Sequence, residues 1–271
     1  MKFLQRFYIG LILFFLYAPI LVMVVFSFNS TNSLSVIEGF SFKNYQEVFR
    51  NSEVIGAFKN TLILAVATAA ISGVLGTAAA VGISRMRAKY LRRSILSVTN
   101  IPMMNPEIVT GIAMMLLFVF IGGLFGKTGT LGFATLTIAH VTFELPYVIL
   151  NVLPKLKQTD AHLSEAAQDL GCTPFQAFYK VVLPAIMPGI ISGLMMAFTL
   201  SIDDFIISYF VSGTSSQTLP IRIFSMTKRR VTPDMYALST LIFLAILVLL
   251  VVSNVISSRG DKKSAKKGGA K

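Results

Sequence analysis

The sequence predicts an all-α, polytopic membrane protein with six transmembrane helices. Of its 271 residues, 54% are hydrophobic and only 13% charged, and the mean hydropathy is +0.73. A soluble domain of this size carries roughly 25% charged residues, so polar side chains are too few here to cover a water-facing globule. Six apolar stretches are each long enough to cross roughly 30 Å of hydrocarbon. The cations gather in short blocks between those stretches, as expected for loops flanking membrane spans. Backbone polar groups in lipid must be bonded within their own segment, so the spans are expected to be helices.

The first span is placed at 7–28. It follows Lys2 and Arg6, exceeds a signal-peptide core in length and lacks a small-x-small cleavage site, so it reads as an uncleaved span. The second, 60–84, carries Gly73, Gly76 and Gly82 among many alanines. Small residues let helix backbones approach closely, so this span is expected inside the bundle. The third is placed at 101–122 and the fourth at 131–153, ended by Pro154. The fifth covers 186–210. The sixth, 235–257, has a start signal: Thr232 as cap, Pro233 at the first helical position and Asp234 complementing the helix dipole. Residues 1–257 thus form one transmembrane domain. The tail, 258–271, is rich in Lys, Gly, Ala and Ser and is expected to be disordered and to touch anionic lipid.

Charge sets the orientation. The 85–100 loop holds Arg85, Arg87, Lys89, Arg92 and Arg93 with no acid, and the tail holds Arg259, Lys262, Lys263, Lys266, Lys267 and Lys271 against Asp261. With six spans both fall on the same side as Lys2 and Arg6, so that side, both termini and the 154–185 segment are expected to be cytoplasmic. Sixteen of the 24 cations then lie inside and eight outside. The outward 211–234 segment runs against the trend with Arg222, Lys228, Arg229 and Arg230; this 222–230 cluster is either a partner contact or a solvated face. The net charge of +12 does not point to nucleic acid, because it is not arrayed along one face or helix. One cysteine, Cys172, excludes an intrachain disulfide. With only His140 and His162 as bases, and His140 inside an apolar run, a Cys/His nucleophile is not expected.

The most informative segment is Leu163-Ser164-Glu165-Ala166-Ala167-Gln168-Asp169-Leu170-Gly171, closing at Val182-Leu183-Pro184. Locally it reads as a short amphipathic helix over about 160–170 stopped by Gly171, then a second short helix opened by Thr173 as cap and Pro174 at its first position. Two such helices make a rigid knob. The segment resembles the EAA loop of permeases in bacterial binding-protein-dependent ABC importers. Glu165, Ala166, Ala167, Gly171, Leu183 and Pro184 all fall at the family spacing, and Val181 stands where Ile is usual. The resemblance implies the type I importer permease fold, with this loop (about 160–184) docking into a groove of a nucleotide-binding subunit. Glu165 would give polar contacts there, and Ala166 and Ala167 would permit close approach. It also implies ABC ATPase subunits, a second homologous permease and an external solute-binding protein as partners. No Walker A pattern occurs in the sequence, so ATP and Mg²⁺ are expected on the partner subunit, with no cofactor in this chain and no enzyme activity of its own.

Four carboxylates lie within or near the spans: Glu107, Glu144, Asp203 and Asp204. An ionised acid in hydrocarbon costs at least about 2.5 kcal/mol, so these should face the interior or a water-filled path, where they suit a cationic substrate. His140, Glu144 and Tyr147 follow an i, i+4, i+7 spacing and share a stripe, as do Glu107, Gly111, Met114 and Phe118. Phe143, Tyr147, Phe205 and Tyr209 add aromatic faces that hold alkylammonium groups. On one continuous helix Asp203 and Asp204 point about 100° apart, so one faces the pathway and the other bonds to a neighbouring helix or the paired subunit. Glu107 follows Asn105-Pro106 and serves either the pathway or a helix start.

Ser201-Ile202-Asp203-Asp204-Phe205, continuing through Ser208 to Gly213, is similar to the corresponding segment of spermidine/putrescine permeases. Tyr17-Ala18-Pro19-Ile20 and Phe26-Ser27-Phe28-Asn29 resemble the same branch. The resemblance implies a polyamine as the solute; another small solute is the alternative. Four intramembrane acids with few compensating bases argue against an anion, and the scarcity of His and Cys against a transition metal. An intramembrane aspartyl protease needs two acids facing each other, which adjacent Asp203 and Asp204 do not provide.

Overall fold

The computed structural model describes residues 2–31, 36, 38–127, 129–160, 162–214, 216–228, 234–248 and 251. Among these the secondary structure is helical, apart from one isolated bridge between Asn29 and Phe40. Five helices are long and apolar enough to cross a membrane. The helices in chain order are α1 (Lys2–Ser27), α2 (Lys43–Arg50), α3 (Ser52–Arg85), α4 (Lys89–Met104), α5 (Glu107–Leu124) and α6 (Phe133–Gln158). They continue with α7 (His162–Asp169), α8 (Pro174–Ala177), α9 (Leu183–Asp203), α10 (Ile206–Val211), α11 (Leu219–Thr227) and the shorter apolar α12 (Asp234–Val248). Thr232 and Pro233, the start signal of the sixth span, lie outside the described residues, as do Arg229, Arg230, 252–257 and the 258–271 tail.

The chain divides into two compact units, Met1–Ala57 with Arg222–Leu250, and Phe58–Ile221 with Val251–Lys271. In the first, the end of α1 is tied off by polar side chains. Asn44 Nδ2 donates to the carbonyls of Ser27 (3.1 Å) and Asn29 (3.0 Å), and Ser27 Oγ shares a hydrogen bond with the Tyr45 hydroxyl at 2.7 Å. Arg222 forms an ion pair with Glu53. Lys228 Nζ lies 4.6 Å from the Phe224 ring centroid, so at least two of the four basic residues of the 222–230 cluster are engaged within the chain.

The second unit is built around α6, which packs most extensively on α9. Glycines permit the approach. A Cβ on Gly189 would stand 2.9 Å from the Asn151 carbonyl oxygen, and one on Gly193 3.3 Å from Val148 Cα. On α3, a Cβ at Gly76 would meet the Val148 side chain at 2.7 Å, and Gly73 faces Leu194. Gly82, expected to serve the same end, faces open space instead. Two apolar clusters form along this stack. One joins Ala80 and Ile83 of α3, Val148, Ile149, Val152 and Leu153 of α6, and Ile186 and Ala197 of α9. The other joins Leu64 of α3, Leu136, Ala139 and Phe143 of α6, and Ile207 and Val211 of α10.

Several boundaries differ from expectation. α1 begins at Lys2 and not at 7, and α3 begins at Ser52 and not at 60, where Asn51 Oδ1 accepts the N–H groups of Glu53 and Val54. Four further differences have a reason in the backbone. The basic 85–100 segment is not a loop: α4 occupies most of it, with Ile95 and Leu96 packed against the first cluster. The expected third span does not begin at 101, because the chain breaks at Asn105 and Pro106, both extended (ψ 139° and 130°), before α5 starts at Glu107. Proline disfavours the helical conformation of the residue before it. Pro154 does not end α6, which continues to Gln158; neighbouring groups in a bundle can re-satisfy a backbone carbonyl freed by proline. The fifth span is not one helix over 186–210. It starts earlier, as α8 runs through a π-turn (Phe178–Val182) into α9, and it breaks after Asp203. Pro184 explains the π-turn: it lacks an N–H and crowds the carbonyl four residues back, and just before it the Leu183 N–H reaches the Phe178 carbonyl five residues back.

Candidate functional site

Between the two apolar clusters lies a layer of polar side chains from four helices, α3, α6, α9 and α10. Thr68 and Ser72 of α3, one turn apart, donate to the two oxygens of Glu144 on α6 at 2.8 and 3.0 Å. One turn earlier on α6, His140 has Ser201 Oγ of α9 at 2.9 Å from Nδ1 and Ser208 Oγ of α10 at 2.9 Å from Nε2. Thr68 Oγ1 lies 3.1 Å from Ser201 Oγ, which closes the network. Asp204 Oδ2 is 3.4 Å from His140 Nε2, and Glu144 Oε1 is 3.9 Å from Nδ1. Glu144 is 0% exposed, His140 2%, and the Asp204 side chain 5%. Burying polar groups among apolar helices is tolerable only when each finds a partner, and these do.

The α9–α10 break gives the two aspartates different surroundings. Asp204 is extended (φ −63°, ψ 120°), and its carboxylate turns back to cap α10, accepting the N–H groups of Ile207 (3.3 Å) and Ser208 (2.7 Å). Asp203, the last residue of α9, is exposed. The expectation of two side chains 100° apart on one helix is therefore corrected: a helix end, not helical rotation, separates them.

Glu107 is exposed at the first position of α5, where its charge complements the helix dipole. One turn along α5, a Cβ on Gly111 would stand 3.5 Å from the Ile206 carbonyl oxygen, which places this end of α5 against the start of α10 just past Asp203, and Met114 of α5 packs on the same apolar cluster as Tyr147. Tyr147 is half-buried, with its ring 5.6 Å from that of Phe143. The five residues singled out for a pathway thus separate into two groups. Glu107, Asp203 and Tyr147 gather at an accessible surface. Glu144 and Asp204 are buried behind it as ties between helices, so the stripe expected for His140, Glu144 and Tyr147 divides between interior and surface. Thr68 and Ser72 were not anticipated from the sequence, and Ser201 and Ser208 were read only as part of the permease-like segment, not as partners of His140. Their signal was hydroxyls one or two turns apart in otherwise apolar helices.

The 160–184 segment folds as a capped elbow. α7 ends in a Schellman arrangement: Gly171 has φ +90°, its N–H reaches the Gln168 carbonyl (2.9 Å), and the Cys172 N–H reaches Ala167 (3.0 Å). Thr173 caps α8, accepting the Gln176 N–H at 3.3 Å, while Gln176 Oε1 accepts the Thr173 N–H at 3.1 Å. The second helix of the elbow is not a separate rod, since it runs on into α9. Glu165, Ala166 and Gly171 are exposed and Ala167 is buried. Leu183 is half-buried and Pro184 exposed at the start of α9. Glu165 Oε2 is 3.0 Å from His162 Nδ1, and this contact raises His162 above its ordinary range. Among the described residues no cluster of His, Cys, Asp and Glu could hold a metal ion.

Apolar helices enclosing a polar layer, with a capped elbow leading straight into a span, define a multi-pass membrane transport subunit. Residues 72–265 match the family described as binding-protein-dependent transport system inner membrane component, and the chain belongs to that family. It is 37% identical to the putrescine transport system permease protein PotI of Escherichia coli K12 over 92% of this chain and 89% of that protein. It is 35% identical to the spermidine/putrescine transport system permease protein PotC of the same organism, covering 95% and 94%. Among solved structures it superposes on a chain of a bacterial alginate ABC transporter, in complex with its alginate pentasaccharide-bound periplasmic protein. That superposition has a TM-score of 0.73 at 16% identity and covers 95% of this chain and 94% of the other. It supports the fold.

Proposed function

We propose that this chain is the permease subunit of an ATP-driven importer that carries a polyamine of the spermidine/putrescine class across the cytoplasmic membrane. The observation that carries the choice of solute is the accessible grouping of Glu107, Asp203 and Tyr147. Two carboxylates attract the ammonium groups of a thin polycation, and an aromatic face holds its alkyl chain. The names of the relatives PotI and PotC point to the same chemistry. Glu144 and Asp204 support the pathway from behind by holding its helices in place.

The chain pairs with a second, homologous permease, two ATPase subunits and an external solute-binding protein. ATP and Mg²⁺ sit on the ATPase, which engages the elbow through Glu165, Ala166 and Gly171 with Leu183 and Pro184 at its base. The termini and the elbow face the cytoplasm in this reading, which the distribution of cations supports. ATP-driven closure, levered through α7 and α8 into α9, shifts a two-state bundle between outward and inward openings. The test is uptake of labelled putrescine and spermidine by vesicles containing the whole complex. Uptake should be inhibited by either amine and not by an uncharged analogue, and should vanish when the ATPase partner is inactivated. Uptake indifferent to the charge of the competitor would refute the solute assignment.

A further inference from the structure

α9 ends at Asp203, and Asp204 is extended with its carboxylate capping α10. A side chain from another helix also spans this break. His140 of α6 reaches Ser201 on the α9 side with Nδ1 and Ser208 on the α10 side with Nε2, both at 2.9 Å. The two serines are seven positions apart, with Asp203, Asp204 and Phe205 among the residues between them. A rigid imidazole ring with one contact on each side holds the two helix ends at a set separation. A hydroxyl can both give and accept a proton, so either neutral tautomer keeps both contacts. Asp204 sits inside the clamp, 3.4 Å from Nε2, while its carboxylate caps α10. With Asp204 held inward, Asp203 ends α9 exposed, next to the start of α10 on which the Glu107 end of α5 packs through Gly111.

We propose that His140 is a positioning residue for solute recognition: it staples the two sides of the α9–α10 break and thereby holds Asp203 beside Glu107. This rests on the polyamine reading above and extends it to a residue that is buried and touches no solute. The same staple explains how an imidazole comes to lie between two carboxylates in an apolar bundle. Its neighbours need it in one orientation.

The experiment is a double-mutant cycle in the full complex reconstituted in vesicles with its ATPase subunits and solute-binding protein, using labelled putrescine as the probe. Asp203→Asn should raise the half-saturating concentration about 10-fold, as expected for loss of one charged contact. His140→Ala should raise it by a similar factor, with the maximal rate changed much less. The double variant should show about the same 10-fold rise, not the roughly 100-fold of independent sites, because residues acting through one another are non-additive. Ser201→Ala and Ser208→Ala each cut one arm of the staple and should give intermediate increases, which keeps the idea testable if His140→Ala fails to assemble. Multiplicative effects in the cycle, or serine variants with unchanged half-saturation, would overturn the staple while leaving the polyamine reading intact. A wild-type complex that does not take up putrescine or spermidine would instead overturn that reading.

Discussion

Glu144 illustrates how a carboxylate is accommodated in a bilayer. Each of its oxygens accepts a hydroxyl from α3, and the chain leaves none of its surface exposed. Glu144→Ala would remove the acceptor of the buried Thr68 and Ser72 hydroxyls. Unsatisfied buried groups cost about 1–3 kcal/mol in soluble proteins, but interhelical hydrogen bonds in bilayers average nearer ~0.6 kcal/mol. A loss of about 1–2 kcal/mol is therefore expected, seen as a melting temperature lower by roughly 2–8 °C in the purified complex. Glu144→Gln keeps an acceptor for one hydroxyl and a donor for the other, so its loss should be smaller. An unchanged melting temperature for Glu144→Ala would contradict the bridging role. Asp203, exposed at a helix end, has no such structural duty in view, which is why its substitution is predicted to affect uptake instead.

At the scale of elements, the elbow is a short helix whose ends are secured by side chains. α7 has eight residues, too few to be stable alone. Gly171 closes it in the left-handed region, and His162 and Glu165 pair across its first turn. The His162 value is raised from 6.5, first by its hydrogen bond to Glu165 and then by the charges of Glu165 and Asp160. The support is therefore fully present below pH 6.5 and is lost as pH rises through the raised value. Amide-exchange protection across α7 should fall over that window, and Glu165→Gln should abolish the dependence. Protection that is flat with pH in the wild type would show that the pair does not hold the helix. α8 runs on into α9 as one helical rod, interrupted only by the π-turn at Phe178–Val182.

At the scale of the whole molecule, what permits a compact bundle around α6 is the absence of side chains. α6 and α9 approach through Gly189 and Gly193, and α3 approaches α6 at Gly76. Lipid supplies no hydrophobic drive between helices, so close van der Waals contact decides association. Gly189→Leu would push α9 off the Asn151 carbonyl and the Lys155 stem, at a cost of about 1–3 kcal/mol or more. The expected outcome is a clear drop in folded protein recovered from membranes. Gly82→Leu, which meets nothing within 4 Å, is the control and should be recovered normally. Equal recovery of the two variants would remove the packing argument.

The sequence by itself determined the fold class, most of the spans and the elbow. These are local properties: apolar length against bilayer thickness, and capping residues whose partners sit three to five positions away. Gly171 and Thr173 were legible for that reason. The basic α4 was not, because its composition is neither apolar enough for a span nor polar enough for a loop, and only the contacts of Ile95 and Leu96 reveal where it packs. Only the tertiary structure decided which acids are buried and which are accessible. Thr68 and Glu144 are 76 positions apart and His140 and Ser208 are 68 apart, so no periodicity within one helix can announce their pairing. A charge in a membrane helix signals that a partner or a path exists; which of the two it is depends on the helix that arrives beside it.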